Sequence, residues 1–107
     1  MLKIDIDATE FQEFTVPFEG EFITITLNFR QHIWLMNAAY KEKKVNGLKL
    51  SSGVLMLVGK NFPFEIVIDD KGSGLDPFSP DNFEKGIFDF YILERDEISE
   101  IRGFEVE

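Results

Sequence analysis

The residues of this chain whose types could do chemistry are few, and their spacing serves chemistry poorly. His32 is the single histidine, and it stands in a short connector, Gln31-His32. A general base or a metal ligand needs a partner of defined type to orient it. None flanks His32, so it reads as a turn residue. Asp69, Asp70, Gly72, Gly74 and Asp76 suggest a calcium loop at first sight. Such a loop places ligands at positions 1, 3, 5 and 12 with glycine at 6. Started at Asp69 or Asp70, the spacing fails, which leaves an Asp- and Gly-rich loop closed by side-chain-to-backbone bonds. Glu94, Asp96 and Glu97 could pair for acid–base work. Carboxylates are so abundant here that close pairs arise without selection for chemistry. Gly72-Ser73-Gly74 lacks the lysine and the following helix that a phosphate cradle requires. No nucleophile elbow and no His-Glu-x-x-His zinc motif occurs. The sequence therefore predicts no catalytic, cofactor-binding or metal-ligating residue, and no enzyme. Trp34 and Tyr40, six residues apart, could form a sugar or peptide platform if exposed, or core packing if not.

The elements that must carry these residues are strands. Residues 22–30 alternate with period two, placing Ile23, Ile25, Leu27 and Phe29 on one face. Residues 33–40 put Trp34, Met36, Ala38 and Tyr40 on one face, although residues 34–43 also have fair helix propensity. Leu2, Ile4 and Ile6 alternate with Lys3, Asp5 and Asp7, giving a first strand. Phe14, Val16 and Phe18 share a face, and Pro17 beside them marks an edge or a bulge. Glu19-Gly20-Glu21 predicts a tight turn. Asn46-Gly47 predicts a type I′ hairpin turn, with residues 48–50 on the returning strand. Gly53 marks a bend. Residues 54–58 are apolar throughout and are expected to be covered on both sides. Phe62, Phe64, Ile66 and Ile68 alternate again, and residues 87–94 form the last strand. Between them, 69–86 is a long loop rich in Asp, Gly and Pro, with one helical turn at 80–84. The expected fold is mainly β, a small antiparallel barrel or sandwich built from consecutive hairpins. Residues 1–107 form one domain, with 96–107 as an acidic tail.

Composition narrows the partners. Asp and Glu number 20 against 11 Lys and Arg, a formal charge of −9. Phosphate backbones and anionic membrane surfaces need clustered cations, so neither nucleic acid nor a membrane is the expected partner. The acidity serves solubility, or matches a basic partner. With no cysteine there is no disulfide or thiolate chemistry. Met1-Leu2-Lys3-Ile4-Asp5 does not begin a signal peptide, which predicts a soluble protein made in the cytosol. Twelve phenylalanines are many for one small core, and some are expected to be covered only by a partner.

The order of these features resembles the phage baseplate plug family, small proteins of contractile-tail baseplates. Phe14-Thr15-Val16 with Gly20 is similar to the family's opening hairpin, and residues 23–30 to its long strand ending in a basic or polar residue. Trp34-Leu35-Met36, Asn46-Gly47, Gly53-Val54 and Leu57-Val58-Gly59-Lys60-Asn61 follow the family pattern in order. So do Asp69, Gly72, Asp76-Pro77, Asp81-Asn82-Phe83, Gly86 and Tyr91. The resemblance covers residues 11–95, departs around 62–68, and leaves 96–107 as an addition.

The resemblance implies a non-enzymatic virion protein of the tail baseplate, made in the host cytoplasm. It would be a multi-copy plug or ring where the tail tube meets the central hub and spike, with those tail proteins as partners. On this reading the loop with Phe78 and Phe83, the tail with Phe104, and Trp34 are the expected interface residues. The competing expectation is a free-standing β-barrel that binds a ligand through Trp34 and Tyr40.

Overall fold

Four successive strands joined by the shortest possible connections form one of two sheets. The structure is a computed structural model that describes residues 1–94. In chain order the strands are β1 (Leu2–Ile4), β2 (Phe11–Phe18), β3 (Glu21–Arg30), β4 (Ile33–Tyr40), β5 (Lys43–Lys49), β6 (Glu65–Asp69) and β7 (Asp89–Leu93). The larger sheet has the order β2-β3-β4-β5 and the smaller β1-β7-β6, and every pairing between named strands is antiparallel. No helix occurs among the described residues. The two sheets face each other as a sandwich and do not close into a barrel.

Turn chemistry explains the larger sheet. Phe18 pairs with Glu21, and between them Glu19 and Gly20 take φ of 50° and 80°. Two positive φ values make a type I′ turn, whose twist suits the strands it joins. Arg30 pairs with Ile33 in the same manner, with Gln31 and His32 at 50° and 68°. His32 is thus the second residue of an exposed turn. Pro17 lies on the edge strand β2 at a position whose missing N–H would face solvent, so it costs the ladder nothing.

The Asn46-Gly47 expectation is corrected. The β4–β5 connection is Lys41-Glu42, since Tyr40 pairs with Lys43. Asn46 and Gly47 lie inside β5, where two residues oppose the single Asn37 and the register shifts between Met36 and Ala38. Gly47 takes the positive φ of 68°, and its N–H donates to Asn37 Oδ1 at 2.8 Å. Asn-Gly serves a bulge here instead of a turn. Asn46 does not share the positive φ that type I′ geometry requires at both central residues.

Period two is borne out in the core. Ile23, Ile25, Leu27, Trp34 and Met36 are fully buried, with Ala38 and Tyr40 nearly so. Residues 33–40 form a strand despite their helix propensity, because β3 and β5 hold them from both sides. Phe64, Ile66, Ile68, Phe88, Phe90 and Ile92 line the facing layer. Aromatic edges bridge the two layers, Phe14 against Phe90 with centroids 6.3 Å apart and Tyr40 against Phe64 at 5.6 Å.

The expectation that residues 54–58 are covered on both sides is also corrected. They form turns, not a strand, and Val54 and Val58 are about half exposed, whereas Leu57 is buried. The segment runs along the free edge of β6. There Ser52 makes a parallel bridge to Ile68, and the Gly53 and Met56 N–H groups donate to the Ile68 and Ile66 carbonyls. The Glu65 carboxylate, itself buried, accepts the Leu57 N–H. This strip seals an edge that would otherwise be open to pairing.

Candidate functional site

The loop of residues 70–88 is an ordered structure built around its own side chains. At its start, Asp70 accepts the Gly72 N–H on Oδ1 at 3.0 Å and the Gly74 N–H on Oδ2 at 2.8 Å. Asp69 accepts the Lys71 N–H at 2.9 Å. These are the side-chain-to-backbone bonds expected of an Asp/Gly loop, and they occupy the carboxylates that a cation would use. Asp76 Oδ1 accepts the Ser52 N–H at 2.8 Å, with the Lys49 ammonium 3.8 Å from Oδ2. This bond ties the loop to the strip beside β6.

The centre of the loop hangs on Asn82, which is 1 % exposed. Its Oδ1 accepts the Phe78 N–H at 2.7 Å and the Ser79 N–H at 2.8 Å. Its backbone carbonyl accepts from Ile87 and Phe88. The Trp34 indole donates to the Ser79 carbonyl at 3.1 Å, while its ring meets the edge of Phe83 at 5.7 Å. Phe83 in turn packs on Phe88 and Phe90. A single α-turn follows, Lys85 N–H to the Asp81 carbonyl, close to the helical turn expected at 80–84. On its surface the Lys85 ammonium lies 2.9 Å from the Asp81 carboxylate. The hydrogen bond from Lys85, with a second from the Ser79 hydroxyl, holds the Asp81 carboxyl below its ordinary range. The Lys85 ammonium is raised by the same partner.

The loop closes on Asp89, only 7 % exposed, whose carboxylate lies 3.5 Å from Lys3 of β1 and 3.3 Å from Lys71 of the loop. The Tyr91 hydroxyl donates to it at 3.3 Å. Burial, then the negative charge of Asp89, pushes the Tyr91 phenol upward. One buried carboxylate thereby joins the first strand, the last strand and the loop.

What this scaffold presents is apolar. Phe78 is 44 % exposed, its ring edge-on to the buried Phe88 at 6.1 Å, and Leu75 and Val54 emerge from the two segments joined by the Ser52–Asp76 bond. Of the expected interface residues, Phe78 is at the surface. Trp34 is fully buried and Phe83 is 8 % exposed, so in the isolated chain both support the loop from beneath. Phe104 lies outside the described residues. Of the two readings of Trp34 and Tyr40, core packing is the one observed: Tyr40, like Trp34, is buried, at 4 % exposed, and donates its hydroxyl to the Phe18 carbonyl. Five of the phenylalanines are buried and Phe14, Phe29 and Phe62 are partly so, whereas Phe11, Phe22 and Phe78 stand exposed. Some phenylalanines thus remain outside the core, as their number suggested. Asn82 carries the loop, yet its role is not visible from composition. The signal was its place three and four residues after Ser79 and Phe78, a spacing at which Asn bonds back to the main chain.

An open groove of about 900 Å³ lies at the β4–β5 turn. Tyr40, Lys41, Lys43, Asn61, Phe62 and Pro63 line it, and Glu42 is the one acid among its lining residues. The Lys41 ammonium sits 5.5 Å from the centre of the Tyr40 ring, and Lys43 donates to the Asn61 carbonyl. No group of three or more metal-ligating side chains gathers among the described residues. The geometry offers surfaces for contact.

Residues 1–95 match the family described as the cyanophage baseplate Pam3 plug gp18. No curated protein matches the chain. A match over most of the sequence settles the family, and the chain belongs to these phage baseplate plugs.

Proposed function

We propose that this chain is a non-enzymatic structural part at the centre of a contractile-tail baseplate, a multi-copy plug where the tail tube meets the hub and spike. The family match over residues 1–95 carries the proposal. The structure supports it with a hydrogen-bonded loop that carries an exposed phenylalanine, Phe78. An exposed aromatic held by a buried hydrogen-bonded network loses little freedom on docking, which favours contact over ligand capture. The proposed docking face is the one carrying Phe78, Leu75 and Val54, and its partners are the neighbouring tube, hub or spike proteins. In the assembled particle it lies in the virion, after synthesis in the host cytoplasm.

Cross-linking mass spectrometry of purified particles tests this. Lys49, Lys71 and Lys85 reach out from the 70–88 loop and its anchor, so their cross-links should run to tube, hub or spike proteins. Phe78→Ser protein should fold and yet enter particles poorly. Particles that lack the chain altogether, or cross-links confined to the sheath and outer baseplate, would overturn the central placement.

A further inference from the structure

An open sheet edge is a template for pairing with another chain, and short strands, bulges, lysines and covering segments all discourage it. The outer side of β6 is sealed by the strip that begins at Ser52. β1 is three residues long. β5 carries the bulge at Asn46-Gly47 together with Lys43, Lys44 and Lys49. β2 has none of these devices. It is eight residues long, holds no lysine, and pairs with β3 without a register shift. Among the described residues no strand lies on its outer side.

The β2–β3 turn fixes which main-chain groups face outward. Phe18 and Glu21 close a two-residue turn and bond to each other, so Val16, Phe14 and Gln12 also bond to β3. Phe11, Glu13, Thr15 and Pro17 turn their main-chain groups away, and all four are exposed. Two outward groups need no partner. Pro17 has no N–H, and the Phe11 carbonyl already accepts the Thr9 hydroxyl at 3.1 Å.

That pattern is complementary to itself. Laid antiparallel on a second copy with Phe11 opposite Pro17, the strand sets Glu13 opposite Thr15 and Phe14 on the two-fold axis. The satisfied Phe11 carbonyl then meets the proline that lacks a donor, and the remaining outward N–H and C=O groups find one another. Sliding the pairing one way sets Glu13 against Glu13, and like charges directly opposite repel. Sliding it the other way leaves the Glu13 carbonyl facing Pro17. The favoured register also covers apolar surface. Phe11 and Phe22 are 62 % and 61 % exposed, and Phe22 is the β3 neighbour of Pro17. Phe11 of one copy therefore joins Pro17 and Phe22 of the other in an apolar row, once at each end of the contact.

We infer that the unassembled protein forms a two-fold dimer with a second copy of itself through β2, which merges the two larger sheets into one. Such a contact uses the same edge on both copies and closes at two. It does not rest on the place in the baseplate proposed above.

Sedimentation of the full chain tests this. A single-strand contact lies at the small end of interface sizes, so the dimer should be present at about 100 μM and come apart on dilution. In the dimer the Phe11, Glu13 and Thr15 amides should exchange more slowly than in dilute protein. Isotope-filtered spectra of mixed labelled and unlabelled copies should connect the Phe11 ring to Pro17 and Phe22 of the other copy. Thr15→Pro removes an outward N–H and no bond of the β2–β3 ladder, so it should melt cooperatively as a monomer. Phe11→Ser, on the exposed face, should weaken the dimer and serves should the proline variant fold poorly. Salt should tighten the dimer by screening two copies of charge −9. A chain that stays monomeric at the higher concentration overturns the inference. So does amide protection that persists on dilution, because the chain's own residues would then cover the edge. A dimer that survives Thr15→Pro lies elsewhere and overturns it too. One that salt dissolves, or that grows past two copies, marks a head-to-tail contact of β2 on the lysines of β5 and equally overturns it.

Discussion

Replacing Asn82 with leucine should destabilise the whole protein and loosen the face that carries Phe78. The side chain is 1 % exposed, and its Oδ1 holds the N–H groups of Phe78 and Ser79 at 2.7 and 2.8 Å. Leucine keeps the branched outline of asparagine but is bulkier, so the change removes an acceptor without opening a cavity and adds some crowding at a buried site. Each stranded, part-buried N–H costs about 1–3 kcal/mol, and values near the lower end sum to about 3 kcal/mol. With a urea slope of about 1.5 kcal/mol/M for a chain of this size, the unfolding midpoint falls by about 2 M. The melting temperature falls by about 10–20 °C. Asn82→Ala should lose at least as much, because it adds a void to the same two stranded donors. Native-state hydrogen exchange gives the local signature, faster exchange at Phe78 and Ser79 before any change at the β3 amides. If Asn82→Leu unfolds at the wild-type urea concentration with both amides still protected, Asn82 is not the pivot of the loop.

Further outcomes follow from particular residues. Gly47→Val should cost about 1–2 kcal/mol through its positive φ alone, because a Cβ there meets open space; an unchanged urea midpoint would contradict the bulge. The Asp81–Lys85 pair gives a pH dependence. A carboxyl whose folded pKa is depressed stabilises the fold above its unfolded value, ordinarily 3.8, and loses that contribution as pH falls through the lowered folded value. Asp81→Asn should therefore melt below wild type at neutral pH, and the gap should close under acid; a gap constant with pH would rule the pair out as its source. Calcium should leave the melting temperature unchanged, since Asp70 already binds the loop's own N–H groups. A rise saturating at micromolar calcium would reverse that. Deleting residues 96–107 should leave a cooperative β-type transition while lowering incorporation into particles, and a chain that no longer melts cooperatively would assign the tail to the core.

What the sequence determined by itself was that the chain is mainly β and which face of β3 and of β4 turns inward. Period-two patterning is a local property, and burial in β3 and β4 follows it residue by residue. The Glu19-Gly20 turn was legible because Gly20 takes positive φ freely, and the Asp70 loop because Asp bonds to nearby N–H groups in many contexts. Tertiary structure decided the rest. Asn-Gly signals a positive φ, but whether that φ makes a turn or a bulge depends on register with Asn37, a residue of another strand. The run 54–58 is apolar, yet it became an edge seal because β6 had an unpaired side for its N–H groups to fill. Trp34 and Tyr40 could have lined a surface until Phe83 and Phe64, distant in the chain, closed over them. The charged closure at Asp89 needed Lys3 and Lys71 brought from two other segments. Which apolar groups remain open to a partner is therefore a property of the packed sheets, because exposure is what remains after non-local contacts have formed.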